Sequence, residues 1–175
     1  WWLLGPYFLG AWLNSRWWTR SLPSAEPVVP GLLLGRLPSS RERDLHGVRA
    51  VVDVSAELPF ASRGLRYVNV PLLDLTPPSI AQIERSVAAI DSSLASGPLL
   101  VCCALGFSRS ATAVAAWLAA SGRAAGHVEA LEQGRPARPA VGLGASPGPA
   151  LRRFSGSRPG SEGGPWLGGQ PGRKP

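Results

Sequence analysis

The sequence predicts an α/β fold, a central and mostly parallel sheet flanked by helices. Three observations predict it. Short apolar runs of strand length alternate with stretches of helical periodicity, the pattern of a parallel sheet with helical crossovers. Gly and Pro punctuate the boundaries, as at Gly97-Pro98 and at Gly134 with Pro136. The apolar run Pro98-Leu99-Leu100-Val101 passes through a Gly-containing loop directly into an Ala-rich stretch from Ala111 to Ala120. Sites in such sheets lie beyond the carboxyl ends of the strands, where that loop falls.

The elements follow in order. Val28 to Leu34 predicts a first strand, with Pro30-Gly31 as a kink or turn. Ser39 to Leu45 predicts a charged helix capped by Ser39 or Ser40. Val48 to Val54 predicts the second strand and Leu65 to Pro71 the third. Thr76 is expected to cap the next helix, with Pro77 at its first position. Ile80, Ile83, Val87, Ile90 and Leu94 then recur at helical spacing and form one apolar stripe. The apolar run Pro98 to Val101 follows as a strand, then a helix from Arg109 to Ser121 closed by Gly122, with Trp117 in the core. Ala124 to Gln133 predicts a last regular helix, with a possible short turn of helix at Ala150 to Phe154.

The loop Cys103-Ala104-Leu105-Gly106-Phe107-Ser108-Arg109-Ser110 carries the chemistry. Inward-pointing backbone amides at a helix start make an anion cradle. The same partial positive charge favours a thiolate, which is the nucleophilic form of cysteine. An arginine at the far end adds a planar fork that can grip two phosphate oxygens.

This stretch, in its context V-C-C-A-L-G-F-S-R-S-A-T-A-V-A-A-W-L, resembles the C-x5-R-[ST] signature of the cysteine-based phosphatases, most closely their dual-specificity branch. The resemblance covers roughly Pro27 to Val141 and implies the cysteine-phosphatase fold. It also implies the roles. Cys103 would attack phosphorus and carry a phosphoryl-cysteine intermediate. Arg109, with the amides of Ala104, Leu105, Gly106, Phe107 and Ser108, would bind the phosphate. Ser110 would hydrogen-bond the sulfur and ease its departure. Gly106 would relieve a crowded backbone position. The family carries an aspartate upstream of the signature strand as proton donor, and Asp74, after Arg66 to Leu73, matches it. No cofactor and no metal are implied. Cys102 departs from the pattern, since the family usually has histidine before the nucleophile. Asp53 and Glu57 are read as local hydrogen-bonders, and His46 and His127 as non-ligands.

Composition narrows the rest. The chain has 175 residues, a net charge of +7 and two cysteines, adjacent in sequence, which excludes a disulfide framework. Between residues 25 and 134 nine arginines meet ten acids, so the basic excess lies in the flanks and nucleic acid is not an expected partner. No methionine stands anywhere, position 1 included, and the chain is expected to be a fragment of a longer reading frame. Residues 1–22 are strongly aromatic and apolar, with Arg16 and Arg20 beside them. They are expected to be a membrane-proximal segment that holds the phosphatase-like domain, residues 25–141, at the cytoplasmic face of a membrane, the bacterial inner membrane. The segment resembles the end of a multi-span lipid-phosphatase-like membrane domain. The alternative is a first helix that packs on the domain through its tryptophans. Residues 142–175, rich in Gly, Pro and Arg, are expected to be a disordered tail.

The function expected is phosphomonoester hydrolysis on phosphotyrosine, phosphoserine or phosphothreonine of a protein. A phospholipid phosphatase acting near the membrane, a phosphate-binding module without turnover, a membrane-tethered adaptor and a rhodanese-like sulfur transferase stand as alternatives. Neutral Ala104 and Leu105 disfavour a highly phosphorylated headgroup.

Overall fold

The computed structural model describes residues 5–58, 62 and 64–123. The predicted helix at 124–133, His127, the resemblance beyond residue 123 and the tail lie outside these residues. The elements run α1 (Gly5–Trp18), β1 (Ala25–Val29), β2 (Leu32–Arg36), α2 (Ser40–Leu45), β3 (Ala50–Ser55), β4 (Arg66–Leu72), α3 (Ile80–Leu94), β5 (Leu99–Cys103) and α4 (Arg109–Ala120). The sheet has the order β1-β2-β5-β3-β4. β2, β5, β3 and β4 are mutually parallel, and β1 joins the β2 edge antiparallel.

The predicted first strand is therefore two. Val29 pairs with Leu32 across Pro30-Gly31. Proline at the first central position and Gly31 at φ +82° at the second make a type II turn, so the chain reverses rather than kinks. Proline has no N–H to give a ladder, and Pro27 and Pro71 both lie on edge strands.

Side-chain alternation splits the two central strands between two cores. Leu99, Val101 and Cys103 of β5 face the same cluster as Ala50, Val52 and Val54 of β3, and α3 and α4 cover it. Leu100 and Cys102 face the other side with Val51, Leu37, Leu58 and Ala104. Ala11 of α1 packs against this second cluster. Consecutive residues Cys102 and Cys103 thus belong to opposite faces.

Helix starts follow capping chemistry. Ser39 and Glu42 form a reciprocal capping box on α2. Ser79 and Gln82 form another on α3, so Ser79, and not Thr76, is the cap. The reason is Pro78, which steers Pro77 away from helical backbone and delays the start. Of the predicted stripe, Ile83, Val87 and Ile90 are buried and Leu94 packs against them, while Ile80 is exposed on the first turn.

α1 is turned against the usual sense. Its Ser15 is buried on the domain, whereas Tyr7, Leu9, Trp12, Leu13, Trp17 and Trp18 are exposed. The helix does pack on the domain, but not through the described tryptophans. Arg20 stacks on Trp17 at 4.0 Å and Arg16 on Trp12 at 5.4 Å. Among the described residues no helix is long and apolar enough to cross a membrane.

Trp117 is 1% exposed, and its indole N–H donates to Asp91 Oδ1 at 2.6 Å, tying α4 to α3. Trp117→Ala is expected to cost about 3–5 kcal/mol of stability, read as a lower denaturant midpoint in urea unfolding followed by circular dichroism.

Candidate active site

The loop between β5 and α4 starts at the carboxyl edge of the sheet. Cys103 ends β5 and Arg109 opens α4, so the strand and helix fix the two ends of the loop independently. The Cys103 sulfur is enclosed, with the residue 2% exposed. Gly106 N–H donates to Sγ at 3.2 Å, and Ser110 Oγ lies 3.4 Å away from it. The Gly106 amide and the Ser110 hydroxyl can both donate to a sulfur acceptor. Ser108 caps α4 with no side-chain hydrogen bond to its first turn.

Gly106 is required twice. Its φ is +76°, and a Cβ there would lie 2.5 Å from the Gly35 carbonyl carbon and 2.6 Å from Arg36 N. A Cβ on Gly35 would in turn meet Ser24 O at 2.3 Å. The loop therefore rests backbone on backbone against β2.

Arg109 is not turned outward. Its Nη1 donates to Glu57 Oε2 at 2.6 Å and to the Leu72 carbonyl at 3.1 Å, and its Nη2 donates to Glu57 Oε1. Its Nε lies 3.4 Å from Asp74 Oδ1. Burial works against the guanidinium charge, but the Glu57 hydrogen bond and the charges of Cys103, Glu57 and Asp74 outweigh it and hold the proton more firmly than usual. Burial likewise pushes Glu57 up, and the Arg109 hydrogen bonds and charge bring it below the ordinary carboxylate range.

The structure thus gathers Cys103, Ser110, Arg109 and Asp74, as the signature implies. Asp74 is half exposed between the exposed Leu73 and Leu75, and Leu75 holds φ +57°, a left-handed conformation unfavourable for a branched side chain. Glu57 does bond locally, accepting from Ala56 N–H at 3.0 Å, but it also braces Arg109, which the sequence reading did not foresee. The signal that could have found it is topological. Glu57 follows β3 by two residues, β3 is parallel to β5, and their carboxyl ends share one edge.

Asp53 does bond locally. It accepts from Ser55 N–H at 2.8 Å, Ser55 Oγ–H at 2.6 Å and Tyr67 O–H at 2.9 Å. Burial pushes its carboxyl up despite these bonds. Cys102 pairs in register with Asp53, and its thiol is pushed well up, first by burial and then by the charges of Asp53 and Cys103. It is an inert core thiol on the far face of the sheet. Among the described residues no cluster of His, Cys, Asp and Glu could hold a metal ion.

Comparison with known proteins agrees with this geometry. Residues 40–123 match the Tc-R-P family model, described as a polymorphic toxin system DSP-PTPase phosphatase. Tk-PTP in its active form superposes with a TM-score of 0.67 at 27% identity, over 78% of this chain and 99% of that one. Human DUSP28 gives 0.62 at 27% identity, over 77% and 92%. PTPMT1 in complex with PI(5)P gives 0.64 at 26% identity, over 76% and 95%. Residues 40–123 thus match a dual-specificity-type phosphatase model, and the fold is the one such phosphatases share.

Within such a phosphatase Glu57 has a definite task. Glu57→Gln keeps the size but accepts from one guanidinium nitrogen and opposes the other. It is expected to lower kcat/KM by about 10²-fold, the cost of a misplaced binding group. The carboxyl sits lower in the fold than its unfolded value of about 4.3, so its stabilisation is complete above that value and fades as pH falls through the folded pKa. Acid titration of the unfolding free energy is therefore expected to be shallower in Glu57→Gln than in the parent chain.

Proposed function

We propose that this chain hydrolyses phosphate monoesters on tyrosine, serine or threonine side chains through a phosphoryl-Cys103 intermediate. The observation that carries the reading is the Cys103 sulfur, hydrogen-bonded by Gly106 and Ser110 at one end of a loop whose other end is Arg109, braced by Glu57. An inert core thiol needs none of these partners.

The steps balance on this chain's own residues. With Glu57 and Leu72 taking three guanidinium hydrogens, the Nε edge of Arg109 remains to grip two phosphate oxygens. Asp74 now lies on that edge, so a bound phosphate takes its place at Nε and frees the carboxyl group to swing toward the ester oxygen. The thiolate attacks phosphorus, the P–O bond breaks, and Asp74 gives its proton to the leaving oxygen. The charge of the transferring group spreads over equatorial oxygens that face the loop amides and Arg109. Asp74 then takes a proton from water, the water oxygen attacks phosphorus, and the P–S bond breaks. Ser110 O–H and Gly106 N–H receive the returning thiolate.

The outward ridge of α1 favours a second reading, in which the domain works against a lipid surface at the cytoplasmic face of a membrane. Exposed Trp12, Trp17 and Trp18 beside Arg20 suit the interface of an anionic bilayer, and residues 1–24 contain no acid to oppose it. PTPMT1, bound to PI(5)P in the structure compared above, is a relative with a phospholipid ligand. A non-catalytic phosphate-binding module is the remaining possibility, and turnover separates it.

The full chain is expected to hydrolyse p-nitrophenyl phosphate and phosphopeptides, and Cys103→Ser to abolish this while retaining the fold. Residual turnover in Cys103→Ser would sink the nucleophile assignment. Sedimentation with vesicles containing anionic lipid tests the ridge. Trp12→Ala, Trp17→Ala and Trp18→Ala together are expected to release the chain into the supernatant, with turnover of p-nitrophenyl phosphate unchanged.

A further inference from the structure

The outer side of the phosphate loop is held by residues that lie before the span matched to the phosphatase family, residues 40–123. Ser15 of α1 is buried, and its Oγ–H donates to the Ala104 carbonyl at 2.6 Å. Leu37 N–H, just past β2, donates to the Cys103 carbonyl at 2.9 Å. The Leu37 carbonyl accepts from Arg16 Nη2 at 3.2 Å. Arg16 also grips both Glu42 carboxylate oxygens, at 3.1 and 2.8 Å, and Arg36 Nη2 donates to the same carboxylate at 2.6 Å. α1 therefore reaches the loop directly through Ser15 and indirectly through Arg16 and Leu37.

The consequence follows from peptide geometry. In a trans peptide the C=O of one residue and the N–H of the next point in opposite directions from one rigid plane. Tying the Cys103 carbonyl to Leu37 aims the Ala104 N–H the other way. Tying the Ala104 carbonyl to Ser15 does the same for the Leu105 N–H. These are the first two amides of the proposed cradle, and the third, Gly106 N–H, already points at the sulfur. A loop with two neutral side chains after its cysteine relies on such amides, so whatever fixes their direction fixes the affinity for an oxyanion.

We infer that Ser15 is a positioning residue of the phosphate loop, and that α1 forms part of the scaffold that orients the loop's amides. The inference rests on the phosphatase reading above. Ser15 does not touch the substrate; it acts through the Ala104–Leu105 peptide. It also places the outward aromatic ridge of α1 one hydrogen bond from the catalytic loop.

The test uses the full chain with p-nitrophenyl phosphate as substrate and inorganic phosphate as competitive inhibitor. Ser15→Ala is expected to raise the phosphate inhibition constant and lower kcat/KM, each about 10- to 100-fold. Ser15→Thr, which keeps the hydroxyl, is expected to recover most of both. Asn14→Ala, on the exposed side of the same helix, is the control and leaves these constants unchanged. A merely structural Ser15 would lower the melting temperature and leave phosphate inhibition of the folded protein unmoved, and that result overturns the inference. Should Ser15→Ala not fold, Arg16→Gln is read instead, with weaker phosphate inhibition expected and unchanged inhibition overturning the claim. Cys103→Ser separates the two levels. If it retains turnover, the phosphatase reading itself falls; if it is inactive while Ser15→Ala behaves as the parent chain, only the role of Ser15 falls.

Discussion

One guanidinium ties three elements together. Arg109 starts α4, Glu57 follows β3 and Leu72 ends β4, and they meet through Nη1 and Nη2 of that side chain. A flexible arginine would lose much of its binding energy in being ordered when phosphate arrives. Here the ordering is done in the folded state, by a fork-to-fork pair with a carboxylate and by a backbone carbonyl. Removing one partner of this part-buried pair leaves the other charge without its counter-ion, which is destabilising. The pair therefore holds the strand ends in place and sets the direction of the guanidinium.

The rest of the site is organised around the sulfur at the opposite end of the loop. Gly106 supplies both the N–H at Sγ and the clearance that lets the loop lie on Gly35 and Arg36. The hairpin that brings Gly35 there is the element misread as one strand. Its antiparallel turn carries Ser24 and Ala25 back over Gly35, so the stack Ser24–Gly35–Gly106 depends on two glycines and one type II turn. α1 then closes the outer side through Ser15. The loop is thus packed from below by β2, anchored at its start by Leu37 and Ser15, and anchored at its end by Glu57 and Leu72.

Elements with a strong local signal were legible in the sequence. β3, β4, β5, α3 and α4 announce themselves by period and punctuation, and their observed bounds differ from the expected ones by a few residues, as capping decides. The loop from Cys103 to Ser110 was legible because residue type and spacing coincide with a strand and a helix on either side. What was not legible depends on where chain segments meet. Glu57 looks like any loop acid until β3 is laid parallel to β5. Ser15 looks like an interruption in an aromatic run until the helix is seen to bury it and expose the tryptophans. Thr76 and Ser79 are both good caps by composition, and only the restriction imposed by Pro78 decides between them.

Cys102 joins these observations. Strand alternation sends its side chain to the face opposite Cys103, into a cluster with Leu100, Val51 and Ala104, beside Asp53. Burial and neighbouring negative charge keep it a neutral thiol, a poor hydrogen-bond donor to its surroundings. A histidine at this position, the residue the signature usually has, would bring a ring N–H to that face. Here α1 is what reaches that side of the loop, packing Ala11 against the same cluster and donating Ser15 O–H to the carbonyl two residues further on. A small cysteine leaves room for the helix to approach, and the helix brings the hydrogen bond that the cysteine lacks.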